Sequence, residues 1–487
     1  MKRSKQYKNL LSKALSTLTI VSLAAVTMAP SETHAQVSGD QALQAASQSS
    51  VALPPDSLGG ALMFGQLGED IFATLNLRLN FDRDNWGLGF NVPVRFRLYD
   101  ADPENQGDIG GLIRKEDWDE LSDFFKVIRY AYIGQRDKKG PYYVRVGELS
   151  SLTLGHGTIV NRYTNGLDID TFRMGANVAV NIGAFGGEIA VGDAARLEDP
   201  IIAAARFTVR PLELILGDGA IWDRLVMGFS LVSDPRAPYE VKPAELDADG
   251  EIVTPAAASA DRSLYVTGVD VGLEVLRSKY LSIEPYMDFN VLNVVENGWG
   301  FHAGVLWRAN LPVVVDNLIV DMRTEYRRVA NDYVGPYFDT AYEIERLSSL
   351  SSDSATPKLR LLAEDPGSAR NGIFFDVTAG LPNFIFVGGE YIDYDGGEND
   401  GILRLTINVP ALEFIQLNGF YYRVNVEGLS DLVVLDERSA LIAEAKIPLY
   451  AIFTLNARFL RVWDRNADGQ PQPVDDWNIG IGFNLEL

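Results

Sequence analysis

The chain contains no cysteine among its 487 residues. Neither a disulfide framework nor lipid attachment through a thiol is therefore available to it. Histidine is almost as scarce, and beyond residue 35 only His156 and His302 remain. Barrel hydrolases and proteases set a His beside a nucleophile or a carboxylate. His156 stands in a Gly-rich stretch, TLGHGTIVNR, and His302 in WGFHAGVLW between Gly300 and Gly304. No triad is visible around either, so the expectation is a protein that is not an enzyme and uses no cofactor. Basic residues are in the minority, with 43 Lys and Arg against 66 Asp and Glu. A net charge of -23 repels phosphate backbones, so no nucleic-acid partner is expected. Long apolar runs are also missing after residue 35, since even LPVVVDNLIV is broken by Asp316. A membrane helix needs about 18 such residues, which excludes a helical membrane protein and leaves a membrane β-barrel open.

What is present begins with an address. MKRSKQYKNLLSK carries five cationic residues and is followed by the apolar run ALSTLTIVSLAAV and by SETHA, with small Thr33 and Ala35 before Gln36. That is the layout of a secretory signal, expected here as residues 1–35 and cleaved after Ala35. Residues 36–58, QVSGDQALQAASQSSVALPPDSL, are polar and rich in small residues, and read as a flexible periplasmic tail. Residues 59–487 then alternate with period 2.

In IFATLNLRLNF one parity is Ile71, Ala73, Leu75, Leu77, Leu79 and Phe81, and the other carries Thr74, Asn76, Arg78 and Asn80. WGLGFNVPVRFRL sets Trp86, Leu88, Phe90, Val92, Val94, Phe96 and Leu98 against Asn91, Arg95 and Arg97. In NLIVDMRTEYRR the polar parity is Asp321, Arg323, Glu325 and Arg327. Successive side chains of a strand leave opposite faces. One face suits lipid and the other a water-filled lumen, because four charges in hydrocarbon would be prohibitive. TFRMGANVAVN, IIAAARFTVR, YVTGVDVGLEV, LSIEPYMDFNV, ILRLTINV, SALIAEAKI, IFTLNARFLRVW and the closing WNIGIGFNLEL repeat the pattern.

The connections alternate as well. Counting back from the end, DRNADGQPQPVDD is long, PLY short, NVEGLSDLVVLDER long, PALE short and LPN short. Short periplasmic turns and longer external loops are the habit of outer-membrane barrels. The expected fold is thus all-β, a transmembrane up-and-down antiparallel β-barrel of about 18 to 20 strands with long extracellular loops. GGALMFGQ, 59–66, is either the first strand, or one of the later strands is a loop. Trp463 and Trp477 have outward parity on either side of the last loop, where an aromatic girdle belongs. Pro93 and Pro285 fall inside strands and are expected at bulges or rims, because Pro removes a ladder hydrogen bond.

The lumen-facing parity nominates Arg78, Arg95, Arg97, Arg173, Arg206, Asp270, Glu274, Glu284, Asp288, Asp321, Arg323, Glu325, Arg327, Arg404 and Arg458 as pore-lining. The early arginines and the later acidic pairs would form opposed walls with a transverse field, which orients polar solutes. Alternatively, they only pair with one another and hold the wall. The segment from Val329 to Asn371 is far longer than an ordinary connection and could fold inward or stand outside. Within it DTAYEIERL suggests a short helix capped by Asp339, and Asp339, Glu343 and Glu345 would face luminal arginines if it constricts the pore. DRNADGQPQPVD places Asp464, Asn466, Asp468 and Asp475 at EF-hand-like spacing, which makes calcium a candidate. The flanking strands and the turn preference of Asp, Asn and Gly speak for an ordinary hairpin loop.

With its export signal, alternating strands, alternating connections and apolar last strand, the chain resembles the porin class of Gram-negative outer-membrane barrels. The chain ends in Leu487, where that class often has Phe. A local likeness lies in VRVGELSSLTLGHGTIVNRYTN followed by DTFRMGANV, which is similar to alginate-export-type barrels, with Glu148 and Leu149 where that family favours Arg and Gln. The resemblance implies an outer-membrane channel for passive diffusion of small hydrophilic or charged solutes, with lipid and lipopolysaccharide as surroundings and polysaccharide as one candidate cargo. The alternative is a structural or adhesive surface barrel with acidic, calcium-binding loops.

Overall fold

In this computed structural model the described residues run from 56 to 487 with short breaks, the larger at 101–108, 119–123, 135–139, 167–172, 247–251, 348–355, 365–368, 396–400 and 466–470. The expected signal, the tail up to residue 55, Asn466 and Asp468 lie outside the described residues.

In chain order the wall strands are β1 (Ser57–Leu67), β2 (Asp70–Arg83), β3 (Trp86–Tyr99), β4 (Ile128–Gly134), β5 (Tyr142–Gly147), β6 (Gly175–Ile182) and β7 (Phe185–Val191). They continue as β8 (Ala203–Val209), β9 (Leu225–Lys242), β10 (Ala257–Leu273), β11 (Leu281–Asn293), β12 (Asn297–Pro312), β13 (Asn317–Ala330) and β14 (Arg370–Leu381). β15 (Ile385–Tyr394), β16 (Gly401–Leu412), β17 (Ile415–Val426), β18 (Ser439–Tyr450), β19 (Phe453–Arg465) and β20 (Pro471–Glu486) complete the circuit. Each strand pairs antiparallel with its neighbours in sequence, and β1 pairs with both β2 and β20. The result is a closed barrel of 20 strands. Closure gives every wall strand a partner on both sides over at least part of its length, which lipid requires. β1 begins at Ser57, two residues before the expected start, and settles the strand parity in favour of GGALMFGQ as a wall strand.

The period-2 reading of the faces holds. Val269, Ile189 and Ile481 lie on the lipid side with 52%, 60% and 49% exposure, while Thr74, Asn80, Asp288 and Glu325 are buried on the inside. Trp477 has the outward parity of Ile479 and Ile481, and its Nε1 donates to Gln66. Gly480 and Gly65 are needed where β20 and β1 close, because a Cβ at Gly480 would stand 2.0 Å from the Leu62 carbonyl oxygen and one at Gly65 would stand 1.9 Å from the Trp477 carbonyl oxygen.

Two expectations change. Pro93 stands in continuous register opposite Asn76, with no bulge, whereas Pro285, in register with Val305 on one side, lies on the other beside a one-residue slip between the pairs Gly272 with Tyr286 and Leu276 with Ile283, as a bulge requires. For Pro93 the reason is visible: β4 reaches β3 only at Trp86–Phe90, so Pro93 lies on an edge where no ladder donor is missed. Beyond residue 233 the paired ends of β9 and β10 continue as a hairpin. The strand expected over TFRMGANVAVN starts only at Gly175, so Arg173 precedes it; likewise Glu274 lies just past β10.

An arginine on the lipid face near the middle of the last strand tests the assignment of faces. Ile481→Arg is expected to destabilise folding into lipid vesicles by about 2 to 4 kcal/mol, read as a shift in a urea titration of the heat-modifiable folded band.

Candidate functional site

The barrel is too wide for its own side chains to fill, and the chain fills it with loops. The connection between β5 and β6 turns inward over 148–166. The long connection between β13 and β14 does the same. It carries two short helices, α1 (Tyr342–Glu345) and α2 (Lys358–Glu364). The two loops meet inside the barrel. Phe338 N–H donates to the Ile159 carbonyl at 3.2 Å, Asn161 N–H to the Phe338 carbonyl at 3.0 Å, and Thr340 Oγ1 to the Arg162 carbonyl at 2.9 Å.

An apolar cluster holds this plug to the wall. Leu152, Leu154, Val160, Tyr163, Tyr337, Phe338 and Tyr342 pack against Val232, Leu264, Val266, Leu292, Phe374 and Ile392, all of inward parity. A second cluster joins Ala341 to Phe420, Tyr422, Ile442 and Leu460. These inward apolar residues sit toward the long-loop ends of their strands. That was the available sequence signal for a plug: the inner parity of β10 begins Leu264, Val266 before it turns to Asp270.

Charged pairs finish the seam. Arg346 Nε lies 2.7 Å from Asp234, whose other neighbour Tyr342 donates its hydroxyl at 2.6 Å. Arg162 meets Asp376 at 2.9 Å and Glu390 at 3.5 Å, and Arg404 meets Glu390 at 2.6 Å. Sequence reading missed Asp234, Arg162, Asp376 and Glu390, since nothing in their own segments marks a partner more than a hundred residues away. The constriction candidates are inside, as the inward alternative required, but their partners differ from those expected. Glu345 pairs with Lys358 at 2.8 Å, Asp339 lies 4.0 Å from the same Lys358, and Glu343 accepts from the Tyr163 hydroxyl. α1 is capped at Ala341, not Asp339; the Asp339 carboxylate takes the Ala341 N–H just before it.

Most of the nominated pore-lining residues are taken up in pairs with other side chains. Arg206 pairs through both nitrogens with Asp270, only two strands away, so the expected opposed walls cancel as neighbours. Arg95 meets Asp117, Arg97 meets Asp70 and Asp100, and Arg173 reaches Asp193 at 4.0 Å. Glu274 is held by Arg277 and Ser282, and Asp321 stands in register with Arg308. Glu325 is buried between Arg327, His302 at 2.8 Å and Tyr286 at 2.5 Å. Gly300 and Gly304 exist for tyrosines, since a Cβ would meet the Tyr333 ring at 2.3 Å or the Tyr286 ring at 2.6 Å.

His156 is the deepest contact of the 148–166 loop. Its Nδ1 lies 2.8 Å from Asp288 and 3.8 Å from Asp270, Nε2 lies 3.9 Å from Glu284, and its ring stacks on Tyr286 with centroids 4.1 Å apart. Arg323 donates to its carbonyl. Burial works against a charge on this imidazole, but Asp288, helped by Glu284 and Asp270, holds it protonated up to about 9.

One arc differs. Among the described residues neither apolar cluster includes any from β20, β1, β2 or β3. The inner face there and on the adjoining β18 and β19 carries Asn76, Arg78, Asn91, Lys446, Asn456, Arg458 and Asn478. Arg458 takes Asp476 at 3.0 Å and Glu444 at 3.4 Å, and Arg129 takes Glu148 at 3.2 Å. Arg78 donates to Asn91 at 3.4 Å, and Lys446 has Arg78 as its charged neighbour.

Of the calcium-spaced residues, Asn466 and Asp468 lie outside the described residues, and the Asp475 carboxylate is bound by Arg461 at 2.7 Å.

No protein-family model matches the chain, and no curated protein matches it. Among solved structures it is similar to Wzi of Escherichia coli, an outer-membrane carbohydrate-binding β-barrel involved in group 1 capsule assembly. That match has 10% identity, 94% of this chain and 90% of that one, and TM-score 0.33. It is also similar to OccK11 of Pseudomonas aeruginosa, with 12% identity, 88% and 95% coverage and TM-score 0.31. The ferric enterobactin receptor of the same organism matches with 7% identity, 89% and 82% coverage and TM-score 0.33.

Two outcomes follow for the plug. Arg346→Met leaves the buried Asp234 charge without its cation, a loss of about 3 to 5 kcal/mol for a buried pair. The 333–347 segment should then become open to protease while the barrel stays heat-modifiable. Burial pushes the Asp339 carboxyl up to about 6, against the pull of Lys358. A raised carboxyl stabilises the folded plug in its protonated form, so this contribution is full at acid pH and is lost as pH rises through about 6. Proteolysis of the plug should therefore slow between pH 7 and pH 5, and Asp339→Asn should shrink that difference.

Proposed function

We propose that the protein is an outer-membrane channel of a Gram-negative bacterium that passes small hydrophilic solutes by diffusion through a narrowed lumen, with a preference for anions. The observation that carries this reading is the polar arc on β20 and β1–β3, from which no described residue joins the plug's apolar clusters, continued by Lys446, Asn456 and Arg458 of β18 and β19. Its carboxylates are engaged by Arg129 and Arg458, so Arg78 and Lys446 leave an excess of positive charge facing the interior. Fixed charge at a constriction sets which solutes enter. The plug makes the route narrow, so conductance should be far below that of an unobstructed barrel of this strand number. Export is by the N-terminal signal, the short turns are periplasmic, and the long hairpins face outward.

A filled upper lumen also favours a second reading, a surface barrel whose β9–β10 hairpin binds a partner or lipopolysaccharide. The two are separated in a planar bilayer. The channel reading expects small, discrete conductance steps with a reversal potential toward anions, enlarged when residues 334–364 are removed. Arg78→Glu with Lys446→Glu should move selectivity toward cations. A correctly inserted barrel that never conducts, with or without 334–364, would sink the channel and leave the surface reading.

A further inference from the structure

The contact beneath the 148–166 loop has more order than a latch needs. His156 Nδ1, Asp270 and Asp288 offer three ligand atoms within 4.8 Å of one another. They come from three separate elements: the inward loop, β10 and β11. Each ligand is also fixed from behind. The second oxygen of Asp288 accepts from Thr158 Oγ1 at 2.6 Å, and Asn290 donates to that hydroxyl at 3.0 Å. Arg206 donates to both oxygens of Asp270, which fixes that carboxylate and leaves Oδ1 its second lone pair toward His156, and His156 Nε2 faces Glu284 at 3.9 Å. A carboxylate behind the far nitrogen is the usual outer-shell arrangement for a metal-binding imidazole. The loop's Gly155 and Gly157 have φ of 58° and 80°, and a Cβ on Gly272 would stand 2.8 Å from His156 Nε2. The backbone is thus shaped to seat this ring.

We propose that His156, Asp270 and Asp288 form a binding site for a divalent transition ion of the zinc class, which ties the plug to the wall. One imidazole with two carboxylates suits zinc or cobalt better than calcium, which prefers six or more oxygens. Zinc bonds of about 2.0 to 2.2 Å to nitrogen and oxygen put neighbouring ligands roughly 3 to 3.5 Å apart. The observed 2.8 and 3.8 Å bracket that separation. An approach exists, since a cavity of about 230 Å³ reaches His156 and Asp270 from the short-turn half of the barrel, past Glu188, Thr208 and Arg308.

The test uses the full-length folded barrel in detergent, stripped with chelator at pH 8 and titrated with Zn²⁺, Co²⁺ and Ca²⁺ by calorimetry and by cobalt absorption. One equivalent of Zn²⁺ or Co²⁺ per chain is expected, with no displacement by Ca²⁺ and with affinity falling on acidification as a proton takes Nδ1. His156→Gln and Asp288→Asn should each weaken binding at least tenfold, with folding verified by heat modifiability, while Asp475→Asn in the β19–β20 hairpin leaves it unchanged. Should His156→Gln fail to fold, Asp288→Asn and Asp270→Asn carry the comparison. Absence of saturable binding at pH 8, binding that survives the site variants, or loss only in Asp475→Asn would each overturn the proposal.

Discussion

Everything in this molecule depends on the pairing of β1 with β20. In lipid an unpaired backbone edge costs several kcal/mol for each unsatisfied group, so a sheet must close or leave the membrane. Ser57–Leu67 closes it against Asp476–Glu486, with glycines at the seam where a side chain would strike backbone. Closure then dictates the rest. It fixes two faces, one for lipid and one for the interior, and it fixes an interior that 20 strands make too wide to fill from the wall.

The chain solves the second problem with its own loops, and the solution is uneven. From β7 round to β19 the plug is seated by aromatic and aliphatic contacts and sealed by ion pairs. Along β20 and β1–β3 no described residue joins those clusters, and the inner face is mostly polar, with Met63 and Phe72 as apolar exceptions. A buried ion pair is commonly no more stabilising than apolar residues of the same volume, so the belt formed by Arg162, Asp376, Glu390 and Arg404 contributes register more than energy. Each pair fits one position of one loop and no other.

The same economy explains the histidines. His302 is enclosed by Glu325 and Tyr333, and its role is completed by those contacts. His156 is placed among three carboxylates at the end of an inward loop, beside a cavity. The two are alike in composition of neighbours and differ in access.

The sequence by itself determined the wall. Period 2 in segments such as NLIVDMRTEYRR is a local property, because a strand's side chains alternate whatever lies on either side of it, and the outward parity of Leu77, Val269 and Ile481 follows directly. The two faces were legible for that reason, and so was the inward parity of Arg78, Asp288 and Glu325, while the strand number was bounded only to about 18 to 20 until β1 closed the wall. The destination of the loops was not. The 148–166 loop and the long β13–β14 connection are held inside by pairs such as Asn161 with Glu390, Arg162 with Asp376 and Arg346 with Asp234, separated by 229, 214 and 112 residues. No periodicity spans such distances, and an acidic, aromatic-rich loop is as well suited to water as to a polar lumen. Only closure of the barrel brings these partners within reach, and only then do the charges of the inner face become a seam on one side and an open polar arc on the other.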